Sequence, residues 1–295
     1  MRTAKQRAFL KWAGGKYSLV ESLQRFLPSG DTLVEPFVGA GSVFLNTNYQ
    51  RYVLNDINPD LIQLYQIVKQ QPTQFIADAR SCFVESSNQK DCYLSFRQRF
   101  NQSQDRYERA VLFLYLNRHG YNGLCRYNLK GIFNVPFGSY KKPYFPEAEL
   151  NFFAEKAQQA EFRCSSYQDI FASLPKDAVV YCDPPYVPLS KTASFTSYAR
   201  QGFNLDDQAN LANLAEQACA AGSPVLISNH DTTLTRKLYQ QARLHSLQVA
   251  RFISQNGKGR QKVGELFALY TPTADVVSVV PRIRSASQPV RKAQP

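Results

Sequence analysis

The stretch AVVYCDPPYVP, residues 178–188, sets a carboxylate, two prolines and a tyrosine at the end of a short apolar run. Ala178 to Cys182 reads as a buried strand. A proline ends a strand because it lacks a backbone donor, but one proline is enough for that. The rest of Asp183-Pro184-Pro185-Tyr186 fits a specific chemistry. An exocyclic amine on a nucleobase is a poor nucleophile, because its lone pair is delocalised into the ring. A carboxylate and a proline carbonyl can each accept one of its N–H bonds. The nitrogen is then biased toward tetrahedral geometry, and its lone pair is freed to attack a methyl group. The prolines fix the backbone so that the Pro184 carbonyl points outward, and Tyr186 offers a face for the base to stack on. A chance match to these four residues in a chain of 295 is roughly one in a thousand.

Two other stretches carry candidate chemistry. In LVEPFVGAGSVFLN, the residues Phe37, Gly39 and Gly41 let a backbone come close to a ligand, and they equally suit a tight strand–helix turn. Phe44 stands where the third glycine of a G-x-G-x-x-G would be, which disfavours a pyrophosphate dinucleotide. Asp56, in NDIN, suits the two hydroxyls of a ribose or the positive end of a helix. Together they fit an adenosine ligand without a diphosphate.

These residues need elements to position them. DTLVEPFVGAGSVFLN reads as strand, glycine loop and helix, with Ser42 as N-cap. RYVLNDINPDLIQLYQIVKQ repeats the scheme, with a strand to Asn55 and a helix from near Pro59. Residues 60–118 are mostly helical in pattern. Turn signals at Asn122-Gly123 and Lys130-Gly131 mark a hairpin or loop cluster over 120–146. The α/β scheme resumes near 160, with strands at AVVYC, SPVLISNH and GELFALYTP and a helix around 205–221. This pattern predicts an α/β parallel sheet interrupted by a helical insert. Ligands of such sheets bind beyond the carboxyl ends of the strands, so Asp56, the glycine loop and Asp183 should converge on one crevice.

The charge is uneven. Net charge is +12, and residues 58–145 carry twelve basic against six acidic side chains, whereas 146–272 carry twelve of each. A basic middle third fits a polyanionic partner, or a solvated face. The six cysteines form no CxxC pair, and the three histidines have no metal-ligand spacing, so reduced thiols and no metal are expected. The N-terminus has no apolar h-region, and the longest apolar stretch is too short to span a bilayer. A cytoplasmic protein is expected.

The stretches FLKWAGGK, LVEPFVGAGSVFLN, NDIN, FLYLNRHGYNGLCRYN, FNVPFG, KKPYFP, YCDPPY and ISNHD together resemble the Dam family of GATC-specific DNA adenine-N6 methyltransferases over roughly residues 8–272. The resemblance implies a Rossmann-like methyltransferase sheet with an inserted, mainly helical target-recognition domain carrying a β-hairpin. Residues 1–57 and 146–272 would form the catalytic domain, 58–145 the recognition domain, and 273–295 a disordered basic tail. It implies methyl transfer from S-adenosylmethionine, without a metal, to N6 of a flipped adenine in double-stranded GATC, in a monomer at the cytoplasmic nucleoid. The methylation would serve replication and repair marking or regulation. Trp12, Lys16, Glu35, Phe37, Gly39, Asp56 and Asp183 would hold the cofactor, and Asp183, Pro184, Pro185 and Tyr186 would carry catalysis. Lys11, Tyr121, Asn122, Leu124, Arg126, Pro136 and Lys141 would meet DNA. Tyr121 and Asn122 would wedge into the duplex, while Leu124, Arg126 and Pro136 would face base edges. The residue types agree, since arginine suits the two acceptors of guanine and apolar side chains suit a thymine methyl. Lys11, Lys141 and Lys142 equally suit phosphate contact, and Tyr121 suits a packed hairpin. Ser139 stands where many relatives carry arginine, and His119 where tyrosine is familiar.

Two other classes compete: a DNA-binding protein on an inactive transferase fold, and a methylase of cytosine N4, RNA or a protein amide. Intact Asp183, Gly39 and Asp56 argue against the first. The second would sooner carry S-P-P or N-P-P-Y. The polar, aperiodic segment 188–203 is expected to form a flap over the flipped base.

Overall fold

The computed structural model describes residues 5–187, 203–250 and 262–272. Residues 188–202 of the expected flap, and the expected disordered tail 273–295, lie outside them. A seven-stranded sheet organises the molecule: β1 (Thr32–Glu35), β2 (Arg51–Asn55), β3 (Ala160–Arg163), β4 (Val179–Cys182), β5 (Val225–His230), β6 (Arg243–Ala250) and β7 (Lys262–Tyr270), in the order β3-β2-β1-β4-β5-β7-β6. The first five in that order are parallel, with Leu33 and Val34 of β1 facing Val179 and Val180 of β4. β7 runs antiparallel to both β5 and β6.

Ten helices are described: α1 (Val20–Leu23), α2 (Ser42–Asn46), α3 (Pro59–Gln70), α4 (Pro72–Ser81), α5 (Lys90–Gln102), α6 (Arg106–His119), α7 (Glu147–Lys156), α8 (Tyr167–Ala172), α9 (Leu205–Ala220) and α10 (Thr233–Leu238). Successive strand residues point to opposite faces, and this splits the core in two. Leu33, Leu54 and Tyr181 pack with Leu61 of α3, Tyr93 of α5, Phe113 of α6 and Phe153 of α7 on one face. Val34, Val53 and Val180 pack with Ile170 of α8 and Leu211 of α9 on the other. The basic middle of the chain therefore shares one continuous core with the sheet. α3 is tied to the strands directly: Lys69 Nζ donates to the Ala160 carbonyl at 2.8 Å.

The sheet departs from the sequence expectation in three places. It is mixed rather than parallel, because β7 reverses. β3 and β6 were not expected. β3 is a four-residue edge strand in which only Ala160 is buried, and no residue of β6 from Arg243 to Gln248 is fully buried. Neither carries the apolar run that marks an inner strand. Third, Gly41 and not Ser42 is the N-cap of α2; it sits in the left-handed region at φ +71°, with Ser42 as the first helical residue, a conformation glycine adopts without steric cost. α3 begins as expected, with Asn58 as N-cap accepting from the Asp60 and Leu61 amides and Pro59 at its first position.

Candidate active site

The chain runs outward from β1 to β2 and β3, then crosses back to lay β4 on the other side of β1. The carboxyl ends of β1 and β4 flank the point where strand order reverses, where open α/β sheets bind ligands. Glu35 ends β1, and Asp183 follows the last residue of β4.

Lys16 joins these ends to the N-terminal segment. Gly14, at φ +77°, turns the chain, and a short 3-10 turn from Lys16 follows. The buried Lys16 ammonium then lies 2.6 and 2.7 Å from the two Asp183 oxygens, and it also donates to the Gly14 carbonyl at 2.8 Å. It stands 4.6 Å from the centre of the Tyr186 ring. Glu35 lies behind the pair. It is 2% exposed, and its Oε1 has no hydrogen-bond partner. Burial, reinforced by the Asp183 charge, pushes its carboxyl well above the usual range, against the stabilising amide of Phe44.

The glycine loop closes the other side. The Gly39 amide donates to Asp56 Oδ2 at 3.1 Å, and the Asn58 amide to Oδ1 at 3.0 Å. Burial raises the Asp56 carboxyl, and these amides oppose the rise. Gly39 has φ +47°, and a Cβ there would lie 2.9 Å from Trp12 Nε1, so any side chain would collide with the indole. Tyr65 of α3 fixes the loop by donating to the Gly39 carbonyl at 2.6 Å. Phe37 packs against Tyr167 and Phe203, both at 5.6 Å between ring centres. Trp12, Lys16, Glu35, Phe37, Gly39, Asp56 and Asp183 thus line the strand ends β1, β2 and β4. The strand ends gather one buried acid whose Oε1 is open and a second acid held by backbone amides.

A polar frame holds the Asp183–Tyr186 tetrapeptide. Gln208 of α9 donates to the Pro185 carbonyl at 2.7 Å. Asn229 of β5 accepts from the Val187 amide at 3.1 Å and donates to both Gln208 Oε1 and Tyr239 Oη at 3.0 Å. The Tyr186 hydroxyl donates to Glu265 of β7, which is 1% exposed, and His230 packs edge-on to the Tyr186 ring at 4.9 Å. Sequence reasoning missed Gln208, Asn229, His230 and Glu265 as framing residues. The available signal was a buried acid inside the apolar run of β7 and the polar end of ISNHD.

The expected DNA-facing residues gather on one rim. The segment 120–137 is held by two isolated antiparallel bridges, Gly120–Phe137 and Tyr127–Phe133, rather than a ladder. The Tyr121 amide donates to the Pro136 carbonyl at 2.9 Å, and the Asn122 amide to the Tyr140 hydroxyl at 2.9 Å. Asn122 and Gly123 both have positive φ, at 53° and 62°, as the turn signal predicts. A Cβ on Gly123 would lie 2.1 Å from that of Lys11, so the N-terminal segment sits directly on this turn. Lys11 is bracketed by Asn117, and its ammonium lies 3.8 Å over the Tyr140 ring. Burial, then the Arg118 charge, lowers its pKa. Tyr121, Arg126, Pro136 and Lys141 are exposed, whereas Leu124 is half-buried against the core. The Arg126 guanidinium donates to Asn134 through Nε at 2.8 Å and Nη2 at 3.1 Å. His119 is buried, stacked on Tyr115 at 3.9 Å, and burial lowers it to about 4. Ser139 has φ 52°.

Among the described residues, no helix is long and apolar enough to cross a membrane, and all six cysteines are free thiols. Residues 12–253 match the D12 class N6 adenine-specific DNA methyltransferase family. A DNA adenine methylase of Vibrio cholerae serotype O1 is 64% identical over 269 residues, 91% of this chain and 97% of that protein. Proteins of the same name from Escherichia coli strain K12 and Serratia marcescens are 62% identical (91% of this chain, 96% of theirs) and 60% identical (90% and 99%). A matched family that spans both the strand-end crevice and the basic rim, on a sheet that places Asp183 at its switch point, means that this chain belongs to the D12 class of N6 adenine-specific DNA methyltransferases.

Proposed function

We propose that the enzyme transfers a methyl group from S-adenosylmethionine to N6 of adenine in double-stranded GATC, acting on a base flipped out of the helix. The observation that carries this reading is Asp183-Pro184-Pro185-Tyr186 at the carboxyl end of β4, beside the Glu35 and Asp56 acids of the neighbouring strands. Trp12, Lys16, Glu35, Phe37, Gly39 and Asp56 would hold the cofactor, which supplies an electrophilic methyl carried on a sulfonium.

This chain's residues then have distinct tasks. Tyr186, steadied by Glu265 and His230, gives the adenine a stacking face. Asp183 accepts one N6 hydrogen, and the Pro184 carbonyl the other. Both Asp183 oxygens now lie on the Lys16 ammonium, and each keeps a second lone pair with which to accept the amine. The hydrogen bond to Asp183 also gives the departing N6 proton its first acceptor. Across the rim, Tyr121 and Asn122 would hold the duplex open, and Leu124, Arg126 and Pro136 would meet base edges. Lys11 and Lys141 would neutralise phosphates. Residues 58–145 act in this reading as the recognition module, and the enzyme works as a monomer on nucleoid DNA in the cytoplasm.

The test is methyl transfer from labelled S-adenosylmethionine to short duplexes that differ at one base pair of GATC. Label at N6 of adenine in GATC, with loss at each altered pair, supports the reading. Equal transfer to every duplex refutes the recognition sequence, and label on cytosine refutes the acceptor.

A further inference from the structure

The rim segment 120–137 has almost no ladder of its own, yet it must present Arg126 at a defined place. A few backbone bonds close it, among them the Tyr121 amide to the Pro136 carbonyl at 2.9 Å and the Asn134 amide to the Arg126 carbonyl at 3.1 Å, and side chains from the helices beneath add further anchors. On the outgoing arm, the Tyr127 hydroxyl donates to Asp60 Oδ2 at 2.6 Å. On the returning arm, Asn101 of α5 brackets Phe133, donating to its carbonyl at 3.0 Å and accepting from its amide at 2.9 Å. Tyr93 and Arg97, also of α5, both donate to the Val135 carbonyl at 2.9 Å.

Asp60 differs from the other anchors. It lies in the first turn of α3, four residues after Asp56 at the end of β2, and it is 8% exposed. Its Oδ1 takes Arg109 Nε at 3.0 Å and Nη2 at 2.7 Å. Arg109 in turn closes the end of α5, donating to the Phe100 and Ser103 carbonyls at 2.7 and 3.1 Å. One buried carboxylate thus gathers α3, α5, α6 and the rim segment. Tyr127 follows Arg126 directly, and its ring packs edge-on against Phe133 at 5.5 Å. A buried carboxylate accepting three donors is costly to disturb, because loss of one donor leaves a lone pair without a partner.

We propose that Asp60, through the Tyr127 hydroxyl, is a positioning residue for base reading: it fixes the place from which Arg126 discriminates the guanine-bearing pairs. The inference rests on the proposed recognition of GATC. Fixing the neighbour of a reading side chain improves contact with the correct base more than with a wrong one, since only the correct base offers both acceptors. The anchor therefore contributes to discrimination and not only to folding.

The test compares wild type with Tyr127→Phe, which removes one hydroxyl and keeps the ring against Phe133. Asp60→Asn serves as a second variant should the first fail to fold. Melting temperature and S-adenosylmethionine affinity are measured first, then kcat/KM on GATC and on duplexes altered at one guanine-bearing pair. Cofactor affinity should stay within about twofold of wild type, while the ratio of GATC to altered duplex falls about fivefold, the scale of one hydrogen bond. An unchanged ratio, whether activity falls on all duplexes or on none, overturns the inference while leaving GATC recognition intact. A wild-type enzyme without preference for GATC refutes the recognition reading itself, and this inference with it.

Discussion

Lys16→Met separates the electrostatics of the crevice from its chemistry. Lys16 is 4% exposed and meets both oxygens of Asp183, whose side chain is 21% exposed. At an effective dielectric of about 20, contact at this separation is worth on the order of 5 kcal/mol before desolvation is subtracted. Desolvation removes much of that gain, but deleting one partner still leaves the other charge half-buried, at a typical cost of about 3–5 kcal/mol for a fully buried pair. The partial exposure of Asp183 lowers that cost, so about 2–3 kcal/mol remains. For a chain of this size that is a fall in melting temperature of about 4–8 °C. Met fills a similar volume, which limits the packing loss. The double variant Lys16→Met/Asp183→Asn removes the stranded charge and should recover about 2 kcal/mol of the loss. Thermal melts of wild type, both single variants and the double close the cycle. A drop below about 1 °C for Lys16→Met, or a double variant destabilised by the sum of the singles, would show that the pair is uncoupled and the reasoning wrong.

The other predictions concern the frame, the rim and a buried histidine. Glu265→Gln and Tyr186→Phe should each lower single-turnover kcat by roughly tenfold, and together by little more than either alone, because both break one hydrogen bond; additive losses contradict this. Arg126→Ala should lower kcat/KM on GATC by roughly tenfold to a hundredfold and lower sites altered at a guanine-bearing pair much less, whereas Lys141→Ala should weaken all duplexes evenly and flatten the salt dependence. A competition assay distinguishes them, and an even loss for Arg126→Ala would make it a backbone contact. His119 titrates near 4 when folded and near 6.5 when unfolded, so the unfolded chain binds the proton first. Stability is full above about pH 6.5 and falls by about 3 kcal/mol as pH drops to about 4. Denaturant unfolding of His119→Tyr at pH 7 and pH 4.5 should show a correspondingly smaller loss than wild type, and an equal loss would refute the assignment.

The inner strands were legible because they are short apolar runs: β1, β2, β4, β5 and the last strand all stand out in composition. β3 and β6 were not, because an edge strand faces solvent and needs no such run. The reversal of β7 was equally hidden, since an apolar run does not state its direction. At the site, contiguous stretches carried the reading: residues 183–186, the glycine loop and Asp56 do lie at neighbouring strand ends. Pairings across the chain did not show. Lys16 meets Asp183 from 167 residues away, and Glu265 meets Tyr186 from 79, with no local pattern linking either pair. The same holds for Asp60 and Tyr127, which sequence places in different elements and folding brings to 2.6 Å.

Asp183→Ala tests the central claim most directly, measured as kcat for methyl transfer to a GATC duplex beside the affinity for that duplex. In the proposed mechanism the carboxylate is required for the transfer step, while the basic rim supplies the affinity. Turnover should therefore vanish with specific DNA binding largely intact. If the variant keeps more than about a tenth of wild-type kcat, a loss of under about 1.4 kcal/mol in the barrier, Asp183 is not the group that readies the adenine amine.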